Sequence, residues 1–118
     1  MAEAFANHYG GDVLVASSSG LSPAQGVPPN TVRAMSEMDI DVSNHMPRLY
    51  NPFEAADWDI VVNMSGYALP GPPPREVVEW EVQDPFGSTM DNYRVVRGNL
   101  ERLVMSLILN LRRPPRKR

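Results

Sequence analysis

Cysteine is absent from the 118 residues of this chain. A chain without cysteine forms no disulfide, holds no zinc through thiolates and supplies no thiol nucleophile of its own. No uninterrupted apolar run approaches the roughly 20 residues that cross a bilayer. The first eight residues also lack the basic start and apolar centre of a signal peptide. We therefore expect a cytoplasmic protein with no membrane span.

Basic residues are scarce outside the C-terminus. Five of the 11 Lys and Arg residues occupy the last seven positions, so residues 1–111 carry six basic and 14 acidic groups, a net charge of −8. A body with that charge is poorly suited to a phosphate backbone, and we expect no nucleic-acid partner. The basic segment 112–118 could contact an anionic surface, but the simpler interpretation is a solvated tail. The length suits a single domain, which we place at residues 1–111.

Short apolar runs predict three strands. Val13–Ala16 is continuously apolar and fits a buried parallel strand, residues 59–64 are predicted to form a second buried strand, and residues 76–82 alternate enough to lie at a sheet edge. Residues 68–74 contain four prolines, which exclude regular structure between the second and third strands.

Helical patterns fall between these strands. The opening residues are typical of a helix that stops at Gly10 and Gly11. A second helix is predicted from about Pro29 to Met38, a short one over residues 51–57, and the longest over residues 89–111. The apolar stripe of the longest helix comprises Tyr93, Val96, Leu100, Leu103, Leu107 and Leu111. The alternation indicates an α/β fold with a mainly parallel sheet, in which an opening strand is missing.

Five segments together resemble the low-molecular-weight protein-tyrosine-phosphatase superfamily, which includes the thioredoxin-coupled arsenate reductases. They are residues 1–5, 18–20, 27–45, 80–87 and 93–97. The resemblance implies a three-layer αβα fold of the phosphotyrosine phosphatase I type. It also implies that this chain starts inside the first helix, so that the family's first strand and its Cys-x5-Arg loop would precede Met1.

The family mechanism implies roles for several residues. Its loop cysteine attacks phosphorus and forms a phosphocysteine, its arginine clamps the phosphoryl oxygens, and a remote aspartic acid protonates the leaving oxygen. By resemblance Asp84 is that general acid and base, and Pro85 restricts the loop that aims it. Ser18 matches a serine that supports the catalytic loop, and Phe86 could line the mouth of the pocket. The implied substrate is a phosphorylated protein or a small oxyanion, and no cofactor or metal is expected.

This chain differs from the family pattern because it contains no cysteine thiol. Ser65 lies near where reductase members place redox cysteines, and arsenate reduction through a disulfide relay needs thiols. This chain is therefore predicted to hydrolyse no phosphate ester by the family mechanism. Three interpretations remain open: part of a phosphatase-type enzyme whose start lies upstream, a non-catalytic binding protein, or a relative of arsenate-reductase ancestry.

Other polar residues have simpler interpretations. His8 and His45 lack the spacing of a metal site, and His45 is expected to form loop hydrogen bonds. Arg94 and Arg97 could reach an anion, but arginines on a helix flank more often pair with carboxylates such as Glu101.

The missing strand predicts low stability. In the family it lies in the middle of a four-stranded sheet, so its loss would leave two strand edges unpaired. Each buried backbone group without a partner costs about 1–3 kcal/mol. We expect the isolated chain to be marginally stable, aggregation-prone or partner-dependent in thermal denaturation. A cooperative transition of the monomer well above ~50 °C would contradict this, since mesophilic domains usually melt at about 45–65 °C.

Overall fold

The computed structural model describes residues 1–113, which form an α/β domain. The elements in chain order are α1 (Ala2–Gly10), α2 (Pro29–Ser36), a 3₁₀ turn (Ala55–Asp57), β1 (Val61–Asn63), β2 (Val77–Glu79) and α3 (Met90–Arg112). Most of the predicted basic tail, residues 114–118, lies outside the described residues. Among the helices of the described part, none is long and apolar enough for a membrane span.

The two strands pair in parallel, as the alternation of strands and helices predicts. The register places Val62 opposite Val78. The Val61 N–H donates to the Glu76 carbonyl at 2.8 Å, and the Trp80 N–H donates to the Asn63 carbonyl at 3.0 Å. Each strand has three residues, so the ladder is shorter than the predicted strands 59–64 and 76–82.

The predicted strand Val13–Ala16 is wrong. The segment has no strand assignment, and Val15 is 82% exposed. A run of β-branched and apolar residues forms a ladder only where a second strand lies beside it. In the described part of the chain nothing pairs with this run, and the nearest bridge is a parallel one between Gly20 and Leu49.

Three helices build the core. Phe5 of α1, Met35 of α2, and Val104 and Ile108 of α3 are the largest fully buried side chains. Gly10 allows the close approach of α1 to α3, since a Cβ there would lie 2.8 Å from two carbons of Ile108. The apolar core therefore depends on helix packing more than on the small sheet.

Helix α3 begins where the sequence predicts but buries a different face along its second half. The Thr89 hydroxyl accepts a hydrogen bond from the Asn92 N–H at 3.3 Å and caps the helix. The buried positions continue from Leu100 in steps of four, to Val104 and Ile108. The predicted stripe of Leu103, Leu107 and Leu111 is thus only partly correct. Leu103 and Leu107 are half-buried, and Leu111 is 39% exposed.

Two other helix predictions need correction. The predicted helix over 51–57 is a turn followed by the 3₁₀ segment, because the Asn51 side chain accepts a hydrogen bond from the Phe53 N–H at 3.0 Å. Helix α2 ends at Ser36 rather than at Met38. Asp39 has a φ of +58°, and the Ile40 N–H then donates to the Met35 carbonyl at 3.1 Å, which closes the helix.

A charged cluster joins α2 to α3. Both oxygens of Glu37 accept hydrogen bonds from Arg94, at 3.0 and 2.9 Å, and one also accepts from Arg97 at 2.7 Å. The expected partner, Glu101, instead accepts a hydrogen bond from Tyr9 at 2.8 Å, which raises the pKa of Tyr9. Hydrogen bonds from Arg94 and then Arg97 lower the pKa of Glu37 to about 2.

Replacement of Phe5 tests the helical core. Phe5 is fully buried, so Phe5→Ala is expected to cost about 3–5 kcal/mol of unfolding free energy through lost burial and a cavity. Phe53→Ala is the matched control, because Phe53 is 82% exposed. Chemical denaturation of both variants measures the difference. Equal effects would show that Phe5 is not central to the core.

Replacement of Glu37 tests the charged cluster. Glu37→Gln is expected to melt a few degrees below the parent at pH 7, because the neutral amide loses the charged pairing with both arginines. A lowered pKa stabilises the fold above the ordinary value of 4.5, and this stabilisation is lost as the pH falls from there towards 2. The melting difference should therefore close across that window. Glu76→Gln, at an exposed position, is the control, and a difference that is independent of pH would contradict the assignment.

Candidate functional site

The predicted acid Asp84 lies in the loop between β2 and α3, with its side chain exposed. Its Oδ1 accepts a hydrogen bond from the Phe86 N–H at 3.0 Å, which closes an Asx turn. Gly87 has a φ of +76°, which favours glycine, and the Ser88 N–H donates to the Pro85 carbonyl at 2.9 Å. Local hydrogen bonds and the capped start of α3 thus fix this loop.

The side chains of Asp84 and Phe86 in this loop are exposed to solvent. The structure shows no hydrogen bond to Oδ2 of Asp84 from the described residues. Phe86 is 73% exposed, and Pro85 is half-buried. A carboxyl group with one oxygen fixed and the other in solvent keeps its direction while it remains able to exchange a proton.

Ser18 lies in a second polar cluster, with Glu3 of α1 and His45. One oxygen of Glu3 accepts hydrogen bonds from the Ser18 N–H at 2.7 Å and from the Ser18 hydroxyl at 3.2 Å. The other oxygen lies 3.1 Å from Nδ1 of His45, and Nε2 of His45 lies 3.4 Å from the Ser18 hydroxyl. The cluster joins α1, the segment after it and the loop after α2.

A cavity of about 300 Å³ adjoins this cluster and is lined by Glu3, Ser18, Asp41 and His45, among others. Hydrogen bonds from the side chain and backbone of Ser43 lower the pKa of Asp41. The cavity therefore presents two carboxyl groups beside an imidazole.

The structure does not bring the two predicted parts of the site together. Asp84, Pro85 and Phe86 line neither this cavity nor a larger one beside β1, whereas Ser18 lines both. Sequence reasoning also missed the pairing of Glu3 with His45. No spacing signal could have found it, since the partners of this cluster come from three separate segments.

A larger cavity of about 550 Å³ opens between the extended segment 13–21 and β1. Apolar side chains of α1 and α3 also line it, among them Ala6, Val104 and Leu107. We call this cavity the groove. Ser65, the position near the reductase cysteines, lines it too and donates a hydrogen bond to the buried Asn63 side chain at 2.7 Å.

The remaining candidate groups have structural partners. Arg97 donates to Glu37 and to the Ala34 carbonyl at 2.8 Å, so its charge is already used in holding α2. His8 packs edge-on against Tyr9. Within residues 1–113 no group of three His, Asp or Glu side chains is placed to hold a metal ion.

Comparison with known proteins agrees with this architecture. Residues 1–70 match the family described as low molecular weight phosphotyrosine protein phosphatase. The glutaredoxin arsenate reductase of Synechocystis sp. is 32% identical over 115 residues, which are 94% of this chain and 87% of that protein.

Solved structures show the same fold. An arsenate reductase in its reduced state superimposes with a TM-score of 0.81 at 30% identity, over 93% of this chain and 86% of the other. A protein tyrosine phosphatase superimposes with a TM-score of 0.78 over 98% of this chain and 88% of the other, at 17% identity, and shows likeness of fold alone. Sequence and structure together place the chain in the low molecular weight phosphotyrosine protein phosphatase family.

Proposed function

We propose that this chain carries the acid loop of a site that transfers phosphoryl groups or handles arsenate, and that it has no turnover of its own. Asp84 would protonate the leaving oxygen of a phosphate monoester and later activate water on a phosphocysteine. Pro85 and Phe86 would hold and flank that carboxyl group. The thiol and the arginine that clamp the oxyanion would have to come from sequence outside these 118 residues.

The loop geometry is the observation that carries the proposal. A general acid must point in a defined direction, and the Phe86 N–H fixes one Asp84 oxygen while the other stays open. The loop runs directly into a capped helix, which Arg94 and Arg97 attach to Glu37 after α2. Rigid support of this kind is what a positioned proton donor needs.

Ser18 would act through position rather than by reacting. Its hydroxyl donates to Glu3 and lies within reach of His45, so its rotamer is fixed from two sides. A fixed hydroxyl of this kind can orient a neighbouring loop through the lone pair that remains free. We therefore assign Ser18 a positioning role beside the start of α1.

We expect this chain to be inactive because it contains no cysteine. Covalent phosphoryl transfer in this family needs a thiolate, and Ser65, the position near the reductase cysteines, is a much weaker nucleophile without an activating base. Ser65 donates its proton to the Asn63 amide oxygen, which is not a base.

Arsenate is the second candidate substrate. The Synechocystis relative and the structural neighbour at 30% identity are both named arsenate reductases, whereas the phosphatase neighbour is 17% identical. Reduction of arsenate to arsenite takes two electrons, which two thiols supply when they form a disulfide. Both thiols would belong to another polypeptide segment.

Two assays test the proposal. The 118-residue chain should release no phosphate from phenyl phosphate or p-nitrophenyl phosphate above the buffer rate. A variant extended before Met1 by an apolar strand and a Cys-x5-Arg loop should hydrolyse both esters. In that extended variant Asp84→Asn is expected to lower kcat for phenyl phosphate by about 10²-fold or more, because a general acid is lost. The loss should be smaller for p-nitrophenyl phosphate, whose leaving phenolate needs less protonation.

The control is Asp91→Asn, which removes the same charge from a side chain that is 91% exposed, in the first turn of α3. It should change either rate by less than about twofold, as exposed substitutions usually do. Equal losses on both esters for Asp84→Asn would mean that Asp84 only supports the loop. Hydrolysis by the 118-residue chain itself would overturn the proposal.

A further inference from the structure

Four prolines in the loop between β1 and β2 take no part in the chemistry proposed for Asp84. Residues 68–74 have the sequence Ala-Leu-Pro-Gly-Pro-Pro-Pro, and Arg75 follows directly. This segment contains neither helix nor strand, and Pro72, Pro73 and Arg75 are exposed. The loop therefore presents a run of consecutive prolines and one basic side chain to solvent.

The consecutive prolines restrict the backbone to one conformation. A proline ring fixes its own φ at about −65°, and a following proline confines ψ to the extended region. Pro72 and Pro73 are each followed by proline, so steric hindrance limits both to polyproline II geometry. The chain bends around Gly71, which has a φ of +78°, and bends again at Arg75. One turn of polyproline helix thus lies between two bends.

The main chain of this turn is free to accept hydrogen bonds. Within residues 1–113 no hydrogen bond uses a main-chain group of residues 68–75. Proline has no N–H, so the run offers carbonyl acceptors and no donors. A binding partner must therefore supply the donors.

Both ends of the loop are held by the rest of the domain. On one side the Asn63 amide donates to the Tyr67 carbonyl at 2.8 Å, and Gly71 packs so closely against the Pro52 ring that a Cβ would not fit. On the other side the Glu76 carbonyl accepts a hydrogen bond from β1 at 2.8 Å. A segment that is already fixed at both ends loses little conformational entropy on binding.

Arg75 places a positive charge beside the proline run. Its side chain is 64% exposed and lies 3.7 Å from the carboxylate of Asp59, which is itself 98% exposed. Exposed ion pairs contribute little free energy, because water and salt screen both charges. A carboxylate of a binding partner can therefore replace Asp59.

We propose that residues 72–75 bind a protein domain whose surface cleft is lined by aromatic rings and flanked by a carboxylate. Proline rings pack against aromatic side chains, and a preformed polyproline turn enters such a cleft at low entropic cost. Indole N–H and phenol O–H groups of the cleft donate to the free carbonyls. The flanking carboxylate pairs with Arg75. The proposal is independent of Asp84 and of any thiol.

The charge around the run excludes a polyanion as the partner. Arg75 is the single basic residue between Arg48 and Arg94, a stretch that contains eight acidic residues. A nucleic acid or an anionic lipid surface needs several basic side chains that act together. One arginine beside three uncharged prolines instead matches one carboxylate on a protein.

Titration calorimetry with a WW domain tests whether the folded loop presents the run. The probe is an isolated WW domain that binds the free peptide Leu-Pro-Gly-Pro-Pro-Pro-Arg-Glu, which has the sequence of residues 69–76. The folded 118-residue chain should bind this domain at least about threefold more tightly than the peptide does, because its loop is already ordered. Binding no tighter than that of the peptide would overturn the proposal.

Two pairs of variants assign the binding to the proline run and to Arg75. Pro73→Ala should weaken binding by about fivefold or more, since a ring contact and a fixed φ are lost, whereas Pro23→Ala, at an exposed proline elsewhere, should bind like the parent. Arg75→Gln should weaken binding by about threefold, whereas Arg102→Gln, at an exposed position of α3, should not. Circular dichroism checks that the free variants fold.

Replacement of Asp59 separates a binding segment from a proline run that only joins two strands. Asp59→Asn frees Arg75 from its own pair, so the WW domain should bind about twofold more tightly at low salt, with the gain lost at high salt. Unchanged binding in both Pro73→Ala and Arg75→Gln would show that the domain contacts another surface, and would overturn the proposal.

Discussion

The burial of Phe5 between α1 and α3 is the contact on which the rest of the structure depends. Phe5, Val104 and Ile108 exclude water almost completely, and Met35 of α2 closes the same cluster. The sheet, with two three-residue strands, adds little apolar burial of its own. A helical core of this kind holds α1, α3 and the loop at Asp84 in place even though one side of the sheet borders an open groove.

The features of the fold that could be predicted are those set by the pattern of neighbouring residues. Periodicity placed α2, α3 and both strands, and the Thr89 cap marked the start of the longest helix. The second half of α3 carries two apolar rows, one through Leu103 and Leu107 and one through Val104 and Ile108, so that helical spacing alone cannot choose between them. The choice is made by the contact with α1, which is a tertiary effect. The strand at Val13–Ala16 failed for a similar reason, because a ladder needs a distant partner.

The predicted site residues also differ in whether local sequence or tertiary structure positions them. The loop at Asp84 was identified by resemblance to the family, and its Asx turn, its proline and the positive φ of Gly87 fit a turn within four residues. The cluster of Glu3, Ser18 and His45 was not, because its members become neighbours only after three segments fold together. Arg94 and Arg97 show the converse. Pairing with a carboxylate was predicted from their place on the helix, but the partner is Glu37 at the end of α2 rather than Glu101.

One more contact links the two ends of the described chain. Arg112, the last residue of α3, donates hydrogen bonds to both carboxylate oxygens of Asp12, 100 residues away, and to the Tyr9 carbonyl, 103 residues away. Synthesis proceeds from the N-terminus, so α1 leaves the ribosome long before α3 exists. During that interval the cluster around Phe5 lacks Val104 and Ile108. The contacts of α1 with α3 therefore form only after α3 has been synthesised, and the apolar face of α1 stays partly uncovered until then.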